Sequence, residues 1–320
     1  MTAMNTRKIV IGAVLLIIGL PVVLVLIAAV SISVLNRTNG TIVSSGQKRE
    51  YLLYVPRSYD PAKPTPLVIS MHGALMWPAV QMRLSEWNRV ADEHGFIVVY
   101  PSGTGVLLKI WPMKPEADLM ADVRFISELI DTLEAAYNID PTRIYANGAS
   151  NGGAMAYALS CKLSHRIAAV GTVAAGQVPW SWCADSRPVP MITFHGTADP
   201  ITPYNGGPRS RASPKPFPSV STWAANWARR NRCGPNPIES VVAADVTRLE
   251  YTGCADDAAV VLYTLRGGGH AWPGGKPKQE SFLFARVLAM NQWLLGPTNR
   301  NIDATSQMWA FFREHRLPRK

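Results

Sequence analysis

Short apolar runs alternate with segments of helical periodicity in the first half of the chain. Residues 66–71 and 96–100 are unbroken apolar runs bounded by Pro, His or Gly, which is typical of strands buried on both faces of a sheet. Residues 81–94 and 119–137 instead place apolar side chains at helical spacing, and Gly95 follows the first of these segments as a C-cap. The alternation predicts a parallel sheet covered by helices.

The second half of the chain continues this alternation. Further strands are predicted at 143–146, 167–173, 190–194, 248–252 and 260–265, and further helices at 151–163, 281–294 and 304–315. Residues 49–56 alternate as an exposed-edge strand, and the Gly-, Pro-, Ser- and Arg-rich residues 204–218 predict a loop over one face. We therefore expect a single α/β domain with a mostly parallel central sheet flanked by helices.

Residues 9–35 form one apolar block without a charged side chain. As a helix this block would be about 40 Å long, which exceeds the roughly 30 Å hydrocarbon core of a bilayer. The block predicts an N-terminal transmembrane helix that anchors the chain. The alternative is a cleaved signal peptide, for which Ala29, Ser31 and Ser33 supply small residues at a cleavage site.

The charges before the apolar block predict its orientation. Arg7 and Lys8 precede the block, and the positive-inside bias keeps residues 1–8 in the cytoplasm. We expect residues 36–40 to be a short linker and residues 41–320 to be the folded domain, on the periplasmic or extracellular side of the membrane. The protein is secreted instead if the block is cleaved.

The cysteines fit an exported domain, because disulfides persist in oxidising compartments. Cys161, Cys183, Cys233 and Cys254 form an even set without the C-x-x-C spacing of a metal or redox site. Of the three possible pairings we favour the sequence neighbours, Cys161 with Cys183 and Cys233 with Cys254, each closing a loop of about twenty residues. The sequence alone does not fix the pairing.

Composition and charge exclude several classes of protein. The chain has 320 residues, of which 48% are hydrophobic and 17% charged, so it is long and apolar enough to bury a core. The formal net charge is +10, but the 32 Lys and Arg are scattered, except near the C-terminus at Arg313, Arg316, Arg319 and Lys320. Without a basic stripe, a zinc-finger spacing or an RNP-like segment, we expect no nucleic-acid partner.

The motif G-x-S-x-G at residues 148–152 carries the candidate nucleophile, Ser150. It lies directly between a predicted strand and a predicted helix, the context in which a sharp turn lifts a serine hydroxyl above a sheet. The following helix points its N-terminus at this turn, so the backbone amide of Asn151 is placed to stabilise an oxyanion. An ordinary turn of small residues is the alternative interpretation.

A nucleophilic serine needs a base to take its proton and an acid to orient that base. In sites built on such a turn, the acid and then the histidine follow the serine along the chain. Asp199 follows the strand 190–194 in the segment HGTADP, and His270 follows the strand 260–265 through three glycines. We predict Asp199 as the acid and His270 as the base, and we expect His195 to be structural.

The second oxyanion donor is expected in the loop after the first buried strand, where His72, Gly73 and Ala74 follow Met71. We predict the backbone amide of Ala74 as this donor. His72 itself fits a core histidine equally well.

Tryptophans near the predicted site are candidates for substrate contact. Trp272 lies two residues past His270, and Trp180 and Trp182 lie in a loop after a core strand. Their rings are able to line an acyl or aromatic pocket, and packing in the core is the alternative for each.

Six segments of the chain match one pattern. They are YLLYVP from Tyr51, PLVISMHG from Pro66, GFIVVYPSG from Gly95, IDPTRIYANGASNGGAMA from Ile139, PVPMITFHGTADPITPYNGG from Pro188 and GGGHAWPGG from Gly267. Together they resemble the polyhydroxybutyrate depolymerase and feruloyl esterase group of α/β-hydrolases, over nearly all of residues 41–315.

This resemblance implies an α/β-hydrolase fold, with Ser150, Asp199 and His270 as a catalytic triad. It also implies extracellular ester hydrolysis with neither a metal nor another cofactor. The substrate is expected to be a small or oligomeric ester, and a polyhydroxyalkanoate oligomer, a feruloyl or acetyl ester of a polysaccharide, and a lipid all stay open. The alternatives are an exopeptidase of the same architecture and a catalytically silent surface binding module. The oligomeric state stays open.

Overall fold

The computed structural model describes residues 36–105, 108–114, 116–175, 183, 186–207, 218–274 and 294–318. The strands within these residues are β1 (Gly40–Ser44), β2 (Gln47–Tyr54), β3 (Thr65–Met71), β4 (Ile97–Pro101), β5 (Ile139–Ala149), β6 (Ala169–Val173), β7 (Met191–Gly196), β8 (Ile238–Ala243), β9 (Val246–Tyr251) and β10 (Val260–Leu265). They pair side by side in one sheet, in the order β1-β2-β4-β3-β5-β6-β7-β10-β9-β8.

The centre of the sheet is parallel and both of its sides are antiparallel. Strands β4, β3, β5, β6, β7 and β10 pair in parallel, whereas β1, β2, β8 and β9 join the sheet through antiparallel pairs. Strands β3 and β4 are buried along their whole length, as their unbroken apolar runs predict. The mixed sheet confirms the predicted α/β architecture, with a parallel centre and antiparallel sides.

The prediction of an edge strand at residues 49–56 is wrong. Strand β2 pairs with β1 on one side and with β4 on the other. The turn between β1 and β2 contains Ser45 and Gly46, whose φ angles are 50° and 74°. These left-handed residues match the twist of a tight hairpin. The short strand β1 therefore occupies the edge in place of β2.

Helices cover both faces of the sheet. They are α1 (Pro78–Ser85), α2 (Trp87–His94), α3 (Glu116–Ala136), α4 (Asn151–Lys162), α5 (Val220–Arg230) and α6 (Ala304–Phe312). Apolar residues of α3, α4 and α5 pack in one core cluster with the sheet, and those of α1, α2 and α6 pack in a second cluster. The sheet thus lies between two packed helical layers.

Two helix predictions need correction. The helix predicted at 81–94 is two helices, because Glu86 adopts φ 51° and the left-handed turn directs Trp87 into the core. The last helix ends at Phe312 rather than at 315, and the helix predicted at 281–294 lies almost wholly outside the described residues. Helix α5, with Trp223 and Trp227 on its buried face, was not predicted although its apolar spacing is helical.

Two disulfides join the predicted partners. Cys161, at the end of α4, bonds Cys183, and Cys233, just after α5, bonds Cys254. The sequence separations are 22 and 21 residues. The pairing of sequence neighbours is confirmed.

Among the helices in the described residues, none combines the length and the apolar character that crossing a bilayer requires. The predicted anchor at residues 9–35 lies outside the described residues.

Candidate active site

Ser150 lies in a tight turn between β5 and α4. Its φ of 53° and ψ of −116° are rare for a residue with a side chain. The turn is possible because Gly152 has no side chain: a β-carbon there would lie 2.3 Å from the Met71 carbonyl oxygen and 2.4 Å from that of His72. The amide of Ser150 donates to the Val173 carbonyl at 2.8 Å. The sheet therefore holds the predicted nucleophile in a strained and defined conformation.

Asp199 and His270 contact each other beyond the carboxyl ends of β7 and β10. The Nδ1 atom of His270 lies 2.8 Å from Oδ2 of Asp199. The other carboxylate oxygen of Asp199 accepts hydrogen bonds from the amides of Ile201, at 2.8 Å, and Thr202, at 2.7 Å. The Asp199 side chain is fully buried and that of His270 is 9% exposed. The structure thus fixes the carboxylate and directs one ring nitrogen of His270 toward it.

The charge on Asp199 follows from these hydrogen bonds. Burial by itself raises the pKa of the Asp199 carboxyl, but hydrogen bonds from His195 and His270 and from the Thr202 amide outweigh burial and hold that pKa below its ordinary range. Asp199 is therefore a carboxylate at neutral pH, the form that orients an imidazole through its Nδ1–H.

A close approach of two loops brings this pair together. The amide of Ala198 donates to the Gly268 carbonyl at 2.9 Å. A β-carbon on Gly196 would lie 2.1 Å from the Gly268 oxygen, so only glycine permits this approach. On its other side the histidine loop is held by the Gly269 amide, which donates to the Pro297 carbonyl at 2.7 Å.

The three predicted triad residues lie beyond the carboxyl ends of three strands of the sheet. Ser150 follows β5, Asp199 follows β7 and His270 follows β10. These strands belong to the parallel centre, and ligands of open α/β sheets bind at the carboxyl ends of such strands. The sheet topology therefore places a strained serine, a histidine and a carboxylate beyond the same ends of the parallel strands.

The predicted oxyanion loop packs against the serine turn. A β-carbon added to Gly73 would lie 3.7 Å from the Ser150 β-carbon. Ala74 is exposed beside it, and in the described part of the chain its amide makes no backbone hydrogen bond. Asn151 is the first residue of α4, where helix amides have no partner within the helix. Both predicted oxyanion donors thus flank the turn with amides available to a ligand.

His72 is a core histidine that connects two loops. Its Nε2 accepts the Gly103 amide at 3.0 Å, so the ring proton is on Nδ1, which lies 2.8 Å from the Gly73 carbonyl. Burial lowers the pKa of His72 to about 4. The neutral ring therefore joins the loop at Gly73, where an oxyanion donor is predicted, to the loop at Gly103.

Trp111 is a site residue that the sequence did not indicate. Its indole Nε1–H donates to the His72 carbonyl at 3.0 Å. Its backbone is bound by the Asn151 side chain, which accepts from the Trp111 amide at 2.7 Å and donates to the Trp111 carbonyl at 2.8 Å. A lone tryptophan in a short loop carries no local pattern that would have revealed these contacts.

The predicted substrate-contacting tryptophans have different positions. Trp272 is buried, and its Nε1–H donates to the Thr305 hydroxyl at 3.0 Å. Its ring packs in the core cluster that contains α6, which favours the packing alternative for this residue. Trp180 and Trp182 lie outside the described residues. In the described part of the chain, no group of three or more His, Cys, Asp or Glu side chains is placed to hold a metal ion.

Comparison with known proteins finds similar esterases. The chain is 31% identical over 236 residues to feruloyl esterase B of Piromyces equi, a match that covers 71% of this chain and 44% of the fungal protein, so the chain spans less than half of that relative. It is 31% identical over 258 residues to the putative esterase NocK of Nocardia uniformis subsp. tsuyamanensis, covering 73% of each chain. It is 28% identical over 241 residues to feruloyl esterase C of Emericella nidulans, covering 73% of this chain and 79% of that protein. No protein-family model matches the chain.

One solved structure shows the likeness of the fold. An acetyl xylan esterase from Aspergillus awamori superimposes with a TM-score of 0.54 at 14% sequence identity, and the match covers 72% of this chain and 93% of that one. At this identity the likeness concerns the arrangement of strands and helices.

Proposed function

Because the chain belongs to the feruloyl esterase-like family of α/β-hydrolases, we propose that it is a serine esterase that hydrolyses carboxylic esters through an acyl-enzyme. The observation that carries the proposal is the 2.8 Å contact between His270 and Asp199, at the sheet edge where Ser150 has a strained backbone. This combination serves to make a hydroxyl reactive toward an acyl carbon.

The proposed reaction has two halves. The Ser150 oxygen forms a bond to the ester carbonyl carbon while Nε2 of His270 takes the hydroxyl proton, and the carbonyl oxygen becomes an oxyanion. As the tetrahedral intermediate collapses, the bond to the leaving alcohol breaks and His270 returns the proton to that alcohol. Water then attacks the acyl-enzyme with His270 again as the base, and the freed acid leaves Ser150 with its proton restored.

Asp199 and two backbone amides assist the reaction without forming or breaking a covalent bond. Asp199 keeps the imidazole oriented and stabilises its cation during each transfer. The amides of Ala74 and Asn151 donate hydrogen bonds to the oxyanion, and loss of one such donor typically lowers turnover by about a hundredfold or more.

Exposed apolar side chains beside the oxyanion loop support an acyl or aromatic substrate group. Leu75 is 58% exposed and Ile110 is 39% exposed, and the Leu75 amide bonds the Lys109 carbonyl at 2.8 Å. Met76 is near the serine, because its sulfur would lie 3.2 Å from a β-carbon on Gly73. Exposed apolar side chains at this position suit the acyl group of a feruloyl or acetyl ester, the two esters that appear in the names of relatives. They also suit polyhydroxyalkanoate oligomers, as a third class of substrate.

Export of the folded domain forms part of the proposal. Both disulfides favour an oxidising compartment. The apolar block at residues 9–35 is long enough to anchor the chain, with residues 41–320 outside the cytoplasm. An anchor predicts recovery of the full chain in the membrane fraction. A signal peptide predicts recovery of a cleaved chain in the medium.

The test uses the full chain in detergent and four esters: p-nitrophenyl acetate, methyl ferulate, acetylated xylan and a hydroxybutyrate oligomer. The parent should hydrolyse at least one of them, and Ser150→Ala should lower kcat by at least about a thousandfold. Ser58→Ala, at an exposed serine, is the matched control and should keep the parental rate. Equal rates for the parent and Ser150→Ala would contradict the proposal. Cleavage of aminoacyl p-nitroanilides alone would favour the peptidase.

A further inference from the structure

His195 makes a second histidine contact with the acid of the site. It is the last residue but one of β7, and its side chain is 2% exposed. Its Nε2 lies 3.3 Å from Oδ2 of Asp199 and 2.8 Å from the carbonyl oxygen of Thr202. Both neighbouring atoms are acceptors, so Nε2 carries the ring proton and donates it to them.

We propose that His195 is a positioning residue for the reaction, which sets the strength of the Asp199–His270 hydrogen bond by sharing the Asp199 carboxylate. This inference rests on the proposed function, because His270 is the base only if the protein is a serine esterase. It replaces the expectation that His195 is merely structural.

The sharing follows from the number of donors on the carboxylate. One oxygen of Asp199 accepts two amides, from Ile201 and Thr202. The other oxygen accepts from His270 and is also near His195. Each hydrogen-bond donor disperses part of the negative charge of the Asp199 carboxylate. The remaining charge stabilises the imidazolium that forms at His270. Without His195, more of this charge acts on His270 and the imidazolium becomes more stable.

The Nε2 proton of His195 also links the two ends of the turn from Asp199 to Thr202. Thr202 donates its amide to Asp199 at 2.7 Å and accepts His195 at its carbonyl, at 2.8 Å. His195 therefore holds both ends of this short turn from within the core. A rigid turn keeps the carboxylate in a fixed position relative to His270.

Few other ionisable groups face His195 in the described residues. The loop after β7 contributes Asp199 and Tyr204, whose ring centroid is 6.0 Å from that of His195 and whose hydroxyl bonds Thr264. Strand β10 places Thr264 opposite His195, and the neighbouring Tyr263 stacks on Phe194. Strand β6 carries no ionisable side chain, and the histidine loop contributes His270. The effect of His195 is therefore exerted mainly through Asp199.

The test compares His195→Phe with His195→Gln in the full chain, through the pH dependence of kcat/KM on the best ester. Phe removes the donor, so the midpoint of the acid limb should move to higher pH by about half a unit or more. Gln keeps an N–H near the position of Nε2, so its profile should return toward the parental one. His165→Gln, at an exposed histidine, is the control and should leave the profile unchanged.

Parental acid limbs in both variants would overturn the inference, as would equal shifts in both. Where the Phe variant does not fold, ¹⁵N-histidine NMR of the parent gives the answer. The His195 ring should carry its proton on Nε2, in a hydrogen bond. A neutral ring with its proton on Nδ1 instead would overturn the inference. This readout is independent of esterase activity, whose absence would refute only the proposed function.

Discussion

Asn151 and Trp111 are joined by two hydrogen bonds that run in opposite directions. The Asn151 side-chain oxygen accepts the Trp111 amide at 2.7 Å, and its NH₂ group donates to the Trp111 carbonyl at 2.8 Å. Since the Trp111 indole also donates to the His72 carbonyl, three loops form one hydrogen-bonded unit. The residue that follows the proposed nucleophile thereby positions the proposed oxyanion loop.

Loss of the indole donor should misplace this loop. We expect Trp111→Phe to lower kcat by roughly tenfold to a hundredfold with a smaller effect on KM, because small displacements of an oxyanion donor weaken the transition state more than substrate binding. Steady-state kinetics on p-nitrophenyl acetate measure both constants.

Trp227→Phe is the matched control for this prediction. The Trp227 indole also donates to a backbone carbonyl, that of Val189 at 3.3 Å, but it lies in the core under α5. This variant should lose stability and keep kcat. A parental kcat for Trp111→Phe, or equal losses in both variants, would contradict the role of Trp111.

Replacing the acid should leave the fold intact and remove the orientation of His270. Asp199→Asn should lower kcat by about 10³- to 10⁴-fold, because the neutral amide no longer stabilises the imidazolium or fixes its tautomer. Circular dichroism and kinetics of the same sample check fold and rate together. Asp257→Asn, at an exposed aspartate in a left-handed turn, should retain full activity. A fall of less than tenfold in Asp199→Asn would refute this assignment of the acid.

Local patterns predicted the elements that bear the site. Strands β3 and β4 are mostly apolar and fully buried, and the turn at Ser150 has its own motif. Chain order then selected Asp199 and His270, which lie 2.8 Å apart. The apolar strands and the serine motif are each a pattern of a few residues, and the acid and the histidine follow from the order of elements. All of these can be identified in a single sequence.

Contacts between distant segments were not predictable in the same way. Asn151 and Trp111 are 40 residues apart, and no local pattern near either residue predicts their contact. The break at Glu86 interrupts a helical pattern that continues on both sides, because a left-handed residue leaves no trace in apolar spacing. For Trp272 the sequence leaves a pocket position and a core position both open, because local residues do not tell which way a side chain points.

The buried ring of His72 should make the fold sensitive to acid. Its pKa is about 4 in the folded protein against an ordinary value of 6.5, so between these pH values only the unfolded chain takes up the proton. The stabilisation is complete above pH 6.5 and is lost as the pH falls toward 4, by up to roughly 3 kcal/mol. Urea unfolding of the parent and of His72→Gln at several pH values measures this difference.

His72→Gln should be less stable at pH 7, because it loses the bonds to Gly73 and Gly103. Its stability should nevertheless fall less steeply than that of the parent between pH 6.5 and 4. His165→Gln, at an exposed position, should reproduce the parental slope. Identical slopes for the parent and His72→Gln would contradict the burial of a neutral imidazole.

Removal of one disulfide should destabilise the domain without touching the site. In Cys161→Ser/Cys183→Ser the unfolded chain regains the freedom of a 22-residue loop, which costs about 3 kcal/mol of stability in the chain-entropy account. The Cys233→Ser/Cys254→Ser variant should lose a similar amount, because its loop spans 21 residues. Urea midpoints under non-reducing conditions check both, and midpoints equal to that of the parent would contradict the contribution of the bonds.

The identity of the nucleophile is tested most directly by mass spectrometry of the full chain after reaction with a fluorophosphonate. We expect one phosphonyl group per chain, located by peptide mapping on Ser150, with full labelling of Ser58→Ala and none of Ser150→Ala. Asp199→Asn should label much more slowly than the parent. An unlabelled parent, or a label on another residue that persists in Ser150→Ala, would contradict the assignment of Ser150 as the nucleophile.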